Sequence, residues 1–168
     1  MSRVSSPLIA LGLIGLISVP AQAETTVESP KAPALAEALL MPKLDGWMNF
    51  LQSEGYKTID KSTPETLLIE SAAEGVRFHV QFFGCDGVKD CQSVQFWSGF
   101  DMDKGSDLER INVWNRDKRY GKAYLDGEMD PFLEMDVNMS GGLPMATAKE
   151  NMALWTAVLD EFQEHIDW

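Results

Sequence analysis

The sequence predicts an α+β fold, an antiparallel sheet with flanking N- and C-terminal helices. Three observations carry this. The segments "VRFHVQFFG" and "QSVQFWSGF" alternate apolar and polar residues with period two and flank a short loop. Near each end of the presumed domain, around Leu44–Leu51 and Met145–Trp168, apolar residues instead recur at helical spacing. Successive strand-like runs are joined by short turns, the pattern of hairpins and not of parallel crossovers.

The chain opens with Arg3, an apolar run from Leu8 to Val19, then Pro20 and Ala21-Gln22-Ala23. That order predicts a secretory signal peptide, residues 1–23, cleaved after Ala23. The run is shorter than the ~20 residues a membrane span needs, so no span is expected after cleavage. Glu24–Ala34 is polar and Pro-bearing and reads as a flexible leader, leaving a single domain over residues 35–168. The formal charge is −12. An acidic chain repels phosphate backbones, so nucleic acid is not an expected partner.

Within the domain, Leu35–Leu40 is expected to form a helical turn. A helix follows, with Pro42 in its first turn, Leu44, Trp47, Met48 and Leu51 on one face, and Gly55 as its stop. "YKTID" and "TLLIES" read as strands. In the next two strands Val76, Phe78, Val80 and Phe82 share one face, and Val94, Phe96 and Phe100 share another. Ser106 and Glu109 have capping-box spacing, so a helix should start near Asp107, with Leu108, Ile111 and Trp114 toward the core. "RYGKAYLD" and "FLEMDVNM" read as strands joined by "GEMDP". Pairing Leu125 with Leu133 would set Lys122 opposite Asp136. After Gly141-Gly142, a helix from Met145 carries Leu154, Trp155, Val158, Leu159, Phe162 and Ile166.

Cys85 and Cys91 are the only cysteines. Zinc wants about four ligands, and the other soft donors are the distant His79 and His165. A redox centre favours C-x-x-C at a helix start. An exported hairpin favours a disulfide. If Cys85 faces Cys91, Phe82 faces Val94 and Val80 faces Phe96, so the apolar faces coincide, whereas a one-residue slip would oppose them.

The remaining polar clusters carry weaker signals. Asp101–Glu109 has acids at calcium-like intervals, but Ser106 and Asn112 stand where an EF-hand loop needs Gly and Glu. Asp126, Glu128, Asp130, Glu134 and Asp136 could in principle do acid–base work, and read as turn residues and the wet face of a strand. His79 alternates onto the face opposite Phe78 and Val80, as a surface or second-core histidine or as a base. Arg116, Lys118, Arg119 and Lys122 read as a solvated turn, with contact to an acidic partner as the alternative. No nucleophile elbow, phosphate loop or H-E-x-x-H motif occurs. No catalytic residue, metal or cofactor is therefore assigned.

"LERINVWNRDKRYGKAYLD", with "FFGC…CQSVQF" before it and "FLEMDVNMSGG" after, resembles the YbjN family of small bacterial proteins. The matching positions are Asn112, Trp114, Asn115, Arg119, Tyr120, Ala123 and Tyr124. The resemblance implies a fold like that of type III secretion chaperones, often dimeric, and a sensory-transduction or chaperone-like role without catalytic residues. Trp114 is expected to plug the core and Asn115 to satisfy the chain reversal. Arg119 is expected to pair with a nearby acid or hold Asn112. The same residues could equally frame a peptide groove.

The combined expectation is a non-enzymatic periplasmic protein-binding, chaperone-like or regulatory module, with a protein or peptide partner or a homodimer. The alternatives are a small hydrolase or metal-dependent enzyme using Asp126–Asp136, and a purely structural envelope protein.

Overall fold

The structure, a computed structural model, describes residues 38–168. The expected signal peptide and leader lie outside the described residues. The elements are β1 (Leu39–Leu40), α1 (Leu44–Ser53), β2 (Ile59–Asp60), β3 (Leu68–Ala73), β4 (Val76–Phe83), β5 (Ser93–Gly99), α2 (Leu108–Asp117), β6 (Lys122–Leu125), β7 (Pro131–Asn138), β8 (Leu143–Pro144) and α3 (Met145–Ile166). Six strands form one antiparallel sheet in the order β2-β3-β4-β5-β7-β6. The fold class is α+β, as predicted.

Alternation decides which side of the sheet is covered. Val76, Phe78, Val80 and Phe82 of β4 point to the same side as Val94 and Phe96 of β5 and Leu133, Met135 and Val137 of β7, and all are buried. Trp47, Phe50 and Leu51 of α1 and Trp155, Val158, Leu159 and Phe162 of α3 close this side. The centre is aromatic. Trp155 stacks on Phe96 at 5.5 Å, and Trp47 meets the same ring edge-on at 5.7 Å. Ser71 and Ser98 also face inward, and each hydroxyl is satisfied by donating to a backbone carbonyl, of Lys57 and Arg77 respectively.

The β4–β5 hairpin has the register expected, with Val80 opposite Phe96 and Phe82 opposite Val94. Cys85 and Cys91 stand at disulfide distance across its loop. A ring this short contributes roughly 2 kcal/mol in the loop-entropy picture.

Several expectations need correction. Leu39 and Leu40 form no helical turn but a short strand pairing with Leu143 and Pro144, and Leu35 lies outside the described residues. Pro42 stands ahead of α1, whose N-cap is Lys43. The α2 cap is Asp107 and not Ser106: the Asp107 carboxylate accepts from the Arg110 N–H at 2.8 Å, while the Ser106 N–H donates to Met129. Leu108 opens α2 and stays 65% exposed, because packing begins one turn later, at Ile111. The β6–β7 pairing is shifted by two, with Leu125 opposite Pro131 and Lys122 opposite Glu134. Asp126 sets this register, its carboxylate accepting the N–H groups of Glu128 and Asp130 and so defining a tight turn.

Helix α2 is fastened to β6 by the segment that carries the family likeness. Trp114 is buried, and its indole N–H donates to the Gly121 carbonyl at 2.8 Å. The Asn115 side-chain amide donates to the Ala123 carbonyl and its oxygen accepts the Ala123 N–H, both at 2.9 Å. One side chain thus satisfies both backbone groups of a residue on the free edge of the sheet. Gly121 has φ +79°, and a Cβ there would stand 2.7 Å from Val158, so only glycine closes the reversal without strain. Arg119 neither pairs with an acid nor holds Asn112 among the described residues; its guanidinium lies over the Tyr120 ring.

Replacing Asn115 by Ala leaves the Ala123 N–H and C=O without their partner. The expected loss is about 2 kcal/mol in urea unfolding, together with concentration-dependent self-association through the opened edge.

Candidate binding face

The same alternation that builds the core sends His79, Trp97, Phe132 and Tyr124 to the opposite, uncovered side of the sheet. They come from β4, β5, β7 and β6, four adjacent strands. His79 lies directly opposite Trp97, and their rings stack at 3.9 Å with an interplanar angle of 16°. Trp97 continues to Phe132 at 6.2 Å, and Phe132 stacks on its cross-strand partner Tyr124 at 5.3 Å. Gly99 makes room for this row: a Cβ there would meet the Phe132 ring at 2.8 Å. Four rings therefore form a continuous strip across the open face.

Charged pairs border the strip. At one end Glu70 lies opposite His79, 3.6 Å from its Nε2, and also approaches Arg77 at 3.9 Å. Elsewhere on the face Lys122 pairs with Glu134 at 2.6 Å, which raises the lysine's affinity for its proton. Burial, then a hydrogen bond with Glu134, pushes the Tyr124 hydroxyl up to about 12. Gln95 donates to Glu134 and Asp136, tying the two acids of β7 together. The His79 side chain keeps only 15% of its surface, and its Nδ1 has no hydrogen-bond partner; the Trp97 indole nitrogen is buried and unpartnered as well.

At the β3–β4-turn end of the face the strip opens into a cleft of about 550 Å³. His79, Trp97, Phe100, Phe132 and the C-terminal Trp168 supply its rings, and Asp101, Asp126, Glu128 and Asp130 its acids. The acids predicted as a cluster divide between two places, Asp126, Glu128 and Asp130 at the cleft and Glu134 and Asp136 on the open face. Asp126 organises the turn, Asp130 accepts from the Met102 N–H, and Glu134 and Asp136 point along the open face toward Lys122 and Gln95. Among the described residues no three His, Cys, Asp or Glu side chains form a group able to hold a metal.

The family-motif residues divide between places. Trp114, Asn115 and Ala123 fasten α2 to β6, Tyr124 joins the aromatic strip, and Asn112, Arg119 and Tyr120 lie on the surface. In the basic cluster Arg116 pairs with Asp117, Lys118 with Glu161 and Lys122 with Glu134. His165 sits against Trp114 and Phe162, its Nε2 2.8 Å from the Arg110 carbonyl. Sequence reasoning missed Trp97, Phe132 and Trp168. A usable signal was present: Trp97 and Phe132 occupy outward positions of their strands, where alternation calls for polar residues.

Burial holds the His79 pKa below its ordinary value; Glu70 opposes this and Arg77 and Lys61 reinforce it. The unfolded chain therefore binds a proton near pH 6.5 that the folded chain resists, and stability falls as pH drops through that value. The wild type should lose more melting temperature than His79→Gln between about pH 7.5 and about pH 5.5. Equal losses would place the titration elsewhere.

A family model described as "Putative bacterial sensory transduction regulator", YbjN, matches residues 46–168. No curated protein and no solved structure gives a significant match. The match spans α1 through α3, including the motif residues and every strand of the open face, and supports a regulatory or binding role. This chain belongs to the YbjN family.

Proposed function

We propose that this protein is a non-enzymatic, exported binding module whose open sheet face docks a segment of a partner protein. The observation that carries the reading is the strip His79–Trp97–Phe132–Tyr124, four stacked rings on the uncovered side of a sheet. A face meant only for solvent is ordinarily polar at these positions. Contiguous apolar surface framed by charged pairs is the composition of a contact site. The separate engagements of Asp126, Asp130, Glu134 and Asp136 favour this reading over hydrolysis. Among the described residues no helix is long and apolar enough to cross a membrane.

Two experiments test the reading. A photo-reactive phenylalanine at position 132 should crosslink to a partner in the periplasm, and the same group at Ala153, an exposed position of α3, should not. Equal crosslinking from both sites would remove the face from consideration. Crosslinks between two copies of the chain would make a homodimer the occupant. For export, Cys85 and Cys91 should resist thiol labelling in unreduced cell-envelope fractions and react after reduction. Two free thiols there would contradict both the disulfide and the oxidising compartment.

A further inference from the structure

Resting on the docking reading above, we propose that the cleft beside Trp97 receives a cationic side chain, Lys or Arg, carried by an extended partner segment with apolar neighbours. The strip would take the apolar neighbours and the cleft the charge.

The cleft combines two features that recognise a cation. Among its rings Trp97, Phe132 and Trp168 present π faces, and Trp168 is 54% exposed, held only edge-on against Phe100 at 5.3 Å. Four carboxylates line it against one guanidinium, that of Arg77, and one imidazole, that of His79, both of which already lean on Glu70. Asp126 and Asp130 are fixed by the backbone N–H groups they accept, so their charge is preorganised. The side chains of Asp101 and Glu128 make no hydrogen bond or ion pair among the described residues, which leaves them able to pair with an incoming cation. A volume of about 550 Å³ lies within the usual size of a ligand pocket. The chain's net charge of −12 attracts a cationic partner at long range. The adjoining strip is uncharged and aromatic, which accounts for the apolar neighbours.

The test uses three acetylated, amidated peptides of equal length, a Leu-Ser repeat with a central Arg, Leu or Glu, titrated into the full chain. Tryptophan fluorescence reads binding. The Arg peptide should bind at least about tenfold tighter than either of the others, and added salt should erode the advantage. The double variant Asp101→Asn/Glu128→Gln alters no bond of the fold, so its melting temperature should stay unchanged while the Arg advantage disappears. An Arg advantage that persists in the double variant, or no preference among the three peptides, overturns the proposal. If the Leu peptide binds as well as the Arg peptide, and Trp97→Phe or Phe132→Leu weakens both, the docking face stands and the cation specificity falls. If no peptide binds at millimolar concentration, both fall.

Discussion

The register of the β4–β5 hairpin is the constraint on which the rest of the molecule depends. These are the central strands of the sheet, and their pairing sets which residues of every neighbouring strand face α1 and α3. With Val80 opposite Phe96 and Phe82 opposite Val94, the inward side becomes continuous and apolar. The same register sets His79 opposite Trp97 on the outward side. Core and candidate binding face are therefore two sides of one choice. A slip of one residue would invert both, burying Trp97 and Gln95 and exposing Phe96 and Val94. Cys85 and Cys91 close the loop just beyond the last paired residues, where a slip would have to begin.

The sheet's two borders are treated differently, and that difference narrows what the protein can bind with. At β6 the Asn115 amide occupies both backbone groups of Ala123, and Trp114 occupies the Gly121 carbonyl. This edge is closed to strand addition, one of the recurring ways for a sheet to take up a peptide. At the other border β2 is only two residues long, too short to template a partner strand. What remains is the broad face. The residues that carry the family likeness therefore matter to function indirectly: they remove the edge as a competitor and hold β6, with Tyr124, beside Phe132.

Much of the fold was legible in the sequence because alternation and helical spacing report burial directly. Phe78, Phe82, Val94 and Phe96 announce their side by their spacing, and Trp155, Val158 and Phe162 announce a helix face. The misreadings arose where parity carries no information. A two-residue shift leaves every side chain on its own face, so the β6–β7 register could not be taken from hydrophobicity; the Asp126 carboxylate decides it through the turn. Asp107 took the cap from Ser106 because the Ser106 N–H is engaged by Met129, a contact between segments distant in sequence. The short pairing of Leu39–Leu40 with Leu143–Pro144 likewise joins the two ends of the domain, which no local pattern encodes. For the candidate site, Trp97 and Phe132 were visible one at a time, but only strand order brings them together.

The aromatic strip also contributes to stability, since each stacked pair can add about 0.5–1.5 kcal/mol beyond area burial. That alone does not account for its form. At the Tyr124 end the strip is bordered by polar partners: Lys122 lies 5.8 Å from the tyrosine ring and pairs with Glu134, and Gln95 holds Glu134 in turn. At the His79 end the ring meets Glu70 at 3.6 Å on one side only, and its Nδ1 has no hydrogen-bond partner. The ring of Trp97 lies beside a cleft, its indole nitrogen has no acceptor, and Asp101 and Glu128 stand beyond it unengaged among the described residues. The cleft therefore lies along the flank of the strip, beside His79, Trp97 and Phe132, and that is where a partner's side chain would complete what the fold leaves incomplete.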